Sequence, residues 1–237
     1  MRSTLIFLII GLVLFGCTFS PKNDIKVGVI GNPSTGLVNY LQSADARYAS
    51  IYYSGILSSE GIIPEGSLNK YDIVVLQNIP TCDRYAQKTI SDWVKAGGKL
   101  IVVGDACSRM DVAGPIGWEK GFLGDVIPAK LRAASDGGIK EYTCSSGTYR
   151  PVEVGHPIMA GLGDFHFRGG MIDVAPISET KLVAAIDCPD GGADSLPSYY
   201  AILQRLELTK GKSIYFSYDP GISSPTLLGN LFDYLAK

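Results

Sequence analysis

A strand, a helix and a second strand follow one another in residues 71–105, and this unit constrains the fold more than any other part of the sequence. Residues 71–77 (YDIVVLQ) are mostly apolar, which is typical of a strand buried on both faces. Thr81 is predicted to cap the following helix, Gly97 and Gly98 to end it, and residues 100–103 to form the next buried strand. The apolar residues of the helix recur at helical spacing: Ala86, Ile90, Trp93 and Val94. The unit predicts a parallel crossover in an α/β domain.

The other elements extend this domain over residues 25–237. Residues 25–31 predict a buried first strand, and a helix is expected to begin near Leu37. Residues 49–57 and 181–186 predict further strands. Two late strands, at 199–206 and 212–217, predict an antiparallel hairpin, and Ser224 with Pro225 predicts the start of a closing helix. The glycine-rich segment 108–150 is interpreted as an irregular insertion at the C-terminal edge of the sheet.

The N-terminal residues predict export. Arg2 precedes an apolar run at residues 5–15, which is shorter than the roughly 20 residues that a membrane-spanning helix needs. Residues 14–17 (LFGC) resemble the lipobox of bacterial lipoproteins, in which the cysteine is lipidated. We therefore predict a signal peptide at 1–16, a lipid on Cys17 and a tether at 17–24, with an uncleaved anchor as the alternative. Either arrangement predicts a protein that is held at the cell membrane and faces away from the cytoplasm.

Charge and histidine content argue against two classes of function. The chain has 21 basic and 23 acidic residues and no basic run, so a nucleic-acid partner is not expected. It has only two histidines and no Cys-x-x-Cys pair, so neither a metal site nor a cofactor is expected.

Four further cysteines, in an exported chain, permit two disulfides; they are Cys82, Cys107, Cys144 and Cys188. Cys82 and Cys107 follow neighbouring predicted strands at the same edge of the sheet, so a bond between these two is geometrically reasonable. Buried, unpaired thiols are the alternative for all four residues.

Four segments share their order and spacing with a known family. They are the unit at 71–104, the segment 155–165 (GHPIMAGLGDF), the late strand at 211–219 and the helix at 225–235. Together they resemble the class I glutamine amidotransferase-like superfamily, and most closely its non-amidotransferase branch, the ThuA-like proteins. The resemblance implies a flavodoxin-like three-layer sandwich with a mostly parallel sheet and a late antiparallel hairpin. It also implies a pocket at the C-terminal ends of the strands.

The catalytic residues of amidotransferases are not recognisable in this chain. Those enzymes carry a cysteine in a Gly-x-Cys-x-Gly turn, whereas residues 104–108 are GDACS and Cys107 is displaced. They also need a histidine and a glutamate late in the chain, and here no histidine follows His166. A thiol without a base is a weak nucleophile, so glutamine hydrolysis is not expected.

Asn32, Asn78, Asp105 and His156 are the candidate ligand-binding residues, and Asp105, His156 and Cys107 are the candidate catalytic ones. Asp105 directly follows a central strand, where it could bind a sugar hydroxyl, act as a base or cap a loop. His156 precedes Pro157 and could carry protons or be a structural turn residue. Cys107 could be a nucleophile, a disulfide partner or a buried apolar residue.

Two functions remain open from the sequence. The first is a membrane-tethered, extracytoplasmic amidotransferase-like domain without catalysis, which binds a ligand such as a carbohydrate or a protein of the cell envelope. The second is a sugar- or glycan-acting enzyme of the ThuA-like type that uses Asp105 and His156 as acid and base. The second requires the two side chains to meet in one open pocket.

Overall fold

A computed structural model describes residues 24–189, 198–206 and 208–237. The strands are β1 (Ile25–Gly31), β2 (Ile51–Ser58), β3 (Ile73–Gln77), β4 (Lys99–Val103), β5 (Ala129–Leu131), β6 (Glu141–Pro151), β7 (Phe165–Ile172), β8 (Val174–Pro176), β9 (Thr180–Asp187), β10 (Ser198–Arg205) and β11 (Lys212–Phe216). The α-helices are α1 (Thr35–Leu41), α2 (Ala44–Tyr48), α3 (Arg84–Ala96) and α4 (Pro225–Ala236).

Nine strands form one mixed sheet in the order β2-β1-β3-β4-β11-β10-β9-β6-β7. The first five of these strands are parallel, and from β10 onwards each strand is antiparallel to its neighbour. We call these two groups the parallel half and the antiparallel half. The order of the parallel half, with β11 as its fifth strand, is that of a flavodoxin-like fold. The predicted α/β fold, with its late antiparallel hairpin of β10 and β11, is therefore confirmed.

Helices cover the two faces of the parallel half and create two hydrophobic cores. On one face, α1 and α4 pack against alternate strand residues such as Val29, Val75 and Phe216. On the other face, α3 packs against the intervening residues such as Val74 and Val102, together with the fully buried Trp118. Continuous apolar strands are expected where both faces of a sheet are covered.

Two local predictions differ from the structure. Asp83, and not Thr81, caps α3, because the Asp83 carboxylate accepts a hydrogen bond of 2.7 Å from the backbone N–H of Ala86. The segment 108–150 is irregular only in part, since it contains β5 and most of the 11-residue strand β6. β6 has buried residues on one face only, so its sequence is too polar to resemble a buried strand.

The edge strand β2 contains a β-bulge. Val27 of β1 pairs with Tyr53 and Val29 pairs with Ile56, so β2 carries one extra residue between these pairs. Gly55 lies in the bulge with a φ of +90°, a conformation that side chains other than glycine rarely adopt.

The structure pairs the four cysteines. Cys82 is bonded to Cys107, and Cys144 to Cys188. The first bond joins the loops that follow β3 and β4, and the second joins β6 to the residue after β9. All four residues are at least 98% buried.

The predicted signal peptide at 1–16, the lipidated Cys17 and the tether up to residue 23 lie outside the described residues. Within the described ranges, no helix has the length and the apolar character that crossing a membrane requires.

Candidate functional site

A cleft of about 320 Å³ opens at the C-terminal edge of β3, β4 and β11, where it meets the start of β6 and the end of β7. We call it the main cleft. Open α/β sheets bind ligands at this edge. Polar side chains dominate its lining, which consists of Asn78, Val103, Gly104, Asp105, Glu141, Tyr142, Thr143, Gly170, Met171, Ile172, Ser217, Tyr218 and Asp219.

Asp105 enters the cleft because Gly104 turns the chain at the end of β4. Gly104 has a φ of +62°, which a residue with a side chain would adopt only under strain. The chain continues from Asp105 as a turn and not as a helix, so Asp105 is not a helix cap. Burial raises the pKa of the Asp105 carboxyl, while a backbone hydrogen bond and the charge of Arg109 oppose this rise. The group is a half-buried hydrogen-bond acceptor.

Cys107 lies two residues beyond Asp105 and does not enter the cleft. It is fully buried, has a φ of +54° and is bonded to Cys82. The side-chain amide of Gln87 donates a 3.0 Å hydrogen bond to the Cys107 carbonyl oxygen and thereby fixes the loop. A sulfur held in a buried disulfide is not available as a nucleophile.

Asp219 lies just beyond β11, and one of its carboxylate oxygens is held by three donors. Oδ1 accepts hydrogen bonds from the Ser34 hydroxyl at 2.8 Å, the Gln77 amide at 2.9 Å and the Gly221 N–H at 2.8 Å. Gln77 is 1% exposed, and its own Oε1 accepts a hydrogen bond from the backbone N–H of Ser34, which fixes the orientation of the amide. Contacts from three separate elements therefore hold this carboxylate at the rim of the cleft.

Ser217 contributes a hydroxyl group without a partner. The residue lines the main cleft and is only 1% exposed, and its Oγ makes no hydrogen bond within the described part of the chain. A buried hydroxyl that lacks a partner costs free energy. Eight other buried side-chain atoms of the described residues also lack a hydrogen-bond partner, and Ser217 is distinguished from them by its place in the lining of the main cleft.

The two predicted asparagines contact each other. Asn78 lines the main cleft with a φ of +50°, and its amide donates a 2.8 Å hydrogen bond to the carbonyl oxygen of Asn32. Asn32 does not line the cleft, so it supports Asn78 rather than facing a ligand there.

His156 lies elsewhere, in a structural position. It is 4% exposed and caps the 3₁₀ turn Pro157–Met159, where Nδ1 accepts a hydrogen bond from the Ile158 N–H. Nε2 is 2.7 Å from Oε1 of Gln204, and the ring packs against Tyr234. Burial lowers the pKa of His156, and the hydrogen bond to Gln204 opposes this effect. The structure does not bring His156 to the cleft that Asp105 lines.

A second, open depression of about 360 Å³ adjoins the main cleft and shares Asp105 and Glu141 with it. We call it the side lobe. Arg109 lines the side lobe, and its backbone is held by hydrogen bonds with Pro80 and Cys82. No group of three His, Cys, Asp or Glu side chains within the described ranges could hold a metal ion.

Four residues of the site carry no sequence signal that was recognised above: Glu141, Ser217, Asp219 and the supporting Gln77. Ser217 and Asp219 follow the last parallel strand, so the rule that polar residues after such strands line a site could have identified them. Glu141 begins β6, within the segment interpreted as irregular, and offered no comparable signal.

The comparisons with known proteins identify a shared fold. A cytoplasmic protein from Salmonella typhimurium matches with a TM-score of 0.63 at 16% identity, covering 89% of this chain and 98% of that chain. A ThuA-like protein from Bacteroides uniformis matches with a TM-score of 0.63 at 11% identity, covering 93% and 95% of the two chains. A β-galactosidase from Rahnella sp. R3 matches with a TM-score of 0.58 at 14% identity, covering 90% of this chain but 31% of that enzyme.

No protein-family model and no curated sequence matches the chain. The structural matches include ThuA-like proteins from two species, and the second, from Parabacteroides merdae, has a TM-score of 0.60 at 12% identity and covers 90% of each chain. These low identities establish the fold alone. The chain therefore has an α/β fold like that of the two ThuA-like proteins.

Proposed function

We propose that this protein is a membrane-tethered, extracytoplasmic domain of ThuA-like fold that binds a hydroxyl-rich ligand, such as a carbohydrate of the cell envelope, and does not hydrolyse glutamine. The observation that carries the proposal is the position of Cys107. Its sulfur is bonded to Cys82 next to the turn where amidotransferases carry their nucleophile. What remains at that edge of the sheet is the main cleft, which offers hydrogen-bonding groups and is not lined by a cysteine.

The lining of the main cleft suits a ligand with many hydroxyl groups. Asp105, Glu141 and Asp219 offer carboxylate acceptors, and Ser217 offers a hydroxyl without a partner. Tyr142 adds a half-buried aromatic ring. Small-ligand sites combine a few fixed polar groups with apolar or aromatic surface in this way.

Two features support a location outside the cytoplasm. The N-terminal residues have the pattern of an export signal that ends at Cys17. The two cysteine pairs fit an oxidising compartment, because cytoplasmic thiols are normally kept reduced. The Salmonella protein described as cytoplasmic shares only 16% identity with this chain, so its location does not transfer.

The contacts of His156 argue against the alternative of an acid–base enzyme. Its two ring nitrogens are occupied by Gln204 and by the Ile158 N–H, and it does not line the main cleft. An acid and a base must both reach one substrate, and Asp105 and His156 do not share a pocket.

The proposal can be tested by blocking the main cleft. Gly170 lines the cleft, and a Cβ atom there would be 3.9 Å from its nearest neighbour, so Gly170→Leu fills space without a backbone clash. Gly163→Leu is the matched control, because it is exposed, outside the cleft, and its added Cβ meets nothing within 4 Å. Binding of a panel of mono- and disaccharides to the full chain in mild detergent would be measured by calorimetry.

We expect binding by the wild type and by Gly163→Leu, and loss of binding in Gly170→Leu. Ammonia release from glutamine should be the same for wild type and Cys107→Ser. No binding of any sugar, or glutamine hydrolysis that depends on Cys107, would overturn the proposal. Mass spectrometry of the mature N-terminus, together with membrane fractionation, tests the lipid and the location.

A further inference from the structure

The main cleft is lined by carboxylate groups, and a neutral ligand would not account for this negative charge. Asp105, Glu141 and Asp219 line it, and none of its described lining residues is Lys, Arg or His. Arg109 lies beyond Asp105 in the side lobe, and Lys140 contacts Asp173 and the ring of Tyr142. Like charges around one cleft repel each other, so this arrangement favours a ligand that brings a positive charge.

Asp219 is fixed in a position to meet such a charge. Its Oδ1 is occupied by donors from Ser34, Gln77 and Gly221. Within the described part of the chain, no hydrogen bond reaches its Oδ2. Because Oδ1 is held on three sides, the carboxylate cannot turn away, and Oδ2 is the oxygen left to accept a hydrogen bond from a ligand.

The packing of glycines shows that this position is built into the fold. A Cβ atom on Gly221 would lie 2.4 Å from the Ser34 hydroxyl, and one on Gly36 would lie 2.1 Å from the carbonyl oxygen of Gly221. The first turn of α1 and the turn after Asp219 therefore touch through their backbones, and a side chain at either glycine would push the carboxylate away from its donors.

Ser217 supplies the second, independent indication of a ligand. It is two residues before Asp219, 1% exposed, and lines the same cleft with an unpartnered Oγ. A hydroxyl can donate or accept, so it suits a ligand hydroxyl next to the group bound by Asp219.

The cleft does not offer the set of three side-chain ligands that coordination of a metal ion by acidic, cysteine or histidine residues would use within the described ranges. A bound divalent cation needs several oxygen ligands within about 2.0–2.6 Å. Within the described ranges no trio of acidic, cysteine or histidine side chains is close enough to provide them. An ammonium group carries three donors and suits separate acceptors around a larger molecule.

We infer that the ligand is an amino sugar with a free, protonated amino group, in which Asp219 accepts a hydrogen bond from the ammonium group and Ser217 bonds a neighbouring hydroxyl. The inference rests on the proposed function, since it specifies the carbohydrate that the main cleft takes. Asp219 is the residue that determines specificity, and Gln77 is a positioning residue that acts through it.

The test compares sugars that differ only at the amino group. D-Glucosamine, N-acetyl-D-glucosamine and D-glucose, and the same three forms of galactose, are titrated into the full chain by calorimetry. Acetylation removes the charge and keeps the ring, so the free amine should bind about tenfold more tightly than either analogue in at least one series. The preference should shrink as salt is raised, because an ionic contact at an open cleft is screened.

Single substitutions test which residue is responsible for the preference for the amino sugar. Asp219→Asn should reduce the preference for the amine to about twofold or less, since the charge is lost and the shape is kept. Glu141→Gln, at an exposed residue of the same cleft, should reduce it partially. Asp92→Asn on the remote helix α3 is the matched control and should leave it unchanged.

The outcomes separate this inference from the proposed function. Equal binding of the amine, the acetylated sugar and the neutral sugar would overturn the inference and leave the carbohydrate site standing. Binding of spermidine as tight as that of the amino sugar would also overturn it, because charge alone would then be recognised. Binding of none of the sugars would overturn both.

Discussion

The parallel and antiparallel halves of the main sheet contribute to the same cleft but depend on different kinds of information in the sequence. Asp105, Ser217 and Asp219 come from loops that follow parallel strands, whereas Glu141 and Gly170 come from β6 and β7 of the antiparallel half. The parallel half repeats local strand–helix units with continuous apolar runs. The antiparallel half includes β6, which has buried residues on one face only. One side of the cleft thus follows strands with a continuous apolar signal, and the other lies on a half-exposed strand that lacks this signal.

Replacing one phenylalanine by alanine in each half tests whether the parallel half contributes more to stability. Phe216 is fully buried in β11, and Phe216→Ala should lower the free energy of unfolding by about 3–5 kcal/mol. Phe167 is also buried but belongs to the edge strand β7, which can relax into the space left behind, so Phe167→Ala should cost about 3 kcal/mol or less. Urea unfolding measures both values. A larger cost at Phe167 would contradict the comparison.

Removing each disulfide in turn compares how much the two cross-links near the cleft contribute to stability. The bond between Cys144 and Cys188 spans 44 residues, and the bond between Cys82 and Cys107 spans 25. Replacing either pair by serine should lower the free energy of unfolding by roughly 3–4 kcal/mol, with the larger loss for the longer loop. The loops around Cys82 also keep backbone hydrogen bonds from Cys82 to Arg109 and from Cys107 to Ile79. Thermal unfolding of the two double variants gives the order of the two losses. A larger loss without the bond between Cys82 and Cys107 would contradict the expectation.

Two glutamines with side-chain hydrogen bonds allow a comparison of the halves, the buried Gln77 in the parallel half and the half-buried Gln204 in the antiparallel half. Gln77→Leu removes the donor to Asp219 and the acceptor for the Ser34 N–H, and should cost about 1–3 kcal/mol. Gln204→Leu breaks the contacts with His156 and Tyr234. Gln204 is half-buried, so water can replace part of the lost hydrogen bonding. The decrease in the free energy of unfolding should therefore be smaller than for Gln77→Leu. Chemical denaturation of both variants decides the order.

The smallest effect is a pH dependence that arises at His156. Its folded-state pKa is lower than the ordinary value of 6.5, because burial disfavours the charged ring. The unfolded chain therefore binds the proton first, so the stabilisation is present above about pH 6.5 and is lost as the pH falls below it. Urea midpoints between pH 7.5 and pH 5 should fall more steeply for the wild type than for His156→Gln. His166→Gln, at an exposed residue, is the control and should follow the wild type.

Physical patterns in the sequence predict the parallel half and the strands β9 and β10, but they do not predict β6 and β7. β3 and β4 were predicted because residues buried on both faces form apolar runs. β6 contains Ser145, Ser146 and Gly147, which resemble a loop, and its exposed face carries polar residues. Its pairing with β7 and β9 becomes visible only when the strands are placed side by side.

The candidate site was predicted only in part. Asp105 and Asn78 follow parallel strands and do line the main cleft, whereas His156 was selected for its chemistry and instead caps a turn against α4. Asn230 of α4 donates hydrogen bonds to the carbonyl oxygens of Ile158 and Ala160 in that turn. The histidine and proline of the family-like segment therefore serve packing, which the identity of the residues alone does not reveal.

The β-bulge at Gly55 bears on whether the edge strand β2 can pair with a strand of a second molecule at high protein concentration. Residues 50–59 contain no charge, and Tyr52 and Ile56 are 44% and 52% exposed on β2, which pairs only with β1 within the described residues. A straight strand of this composition would be a template for stacking one molecule on the next. The bulge bends the backbone away from the regular spacing that a second strand requires. We therefore expect a single glycine at the rim of the sheet to oppose edge-to-edge stacking on a strand that carries no charge.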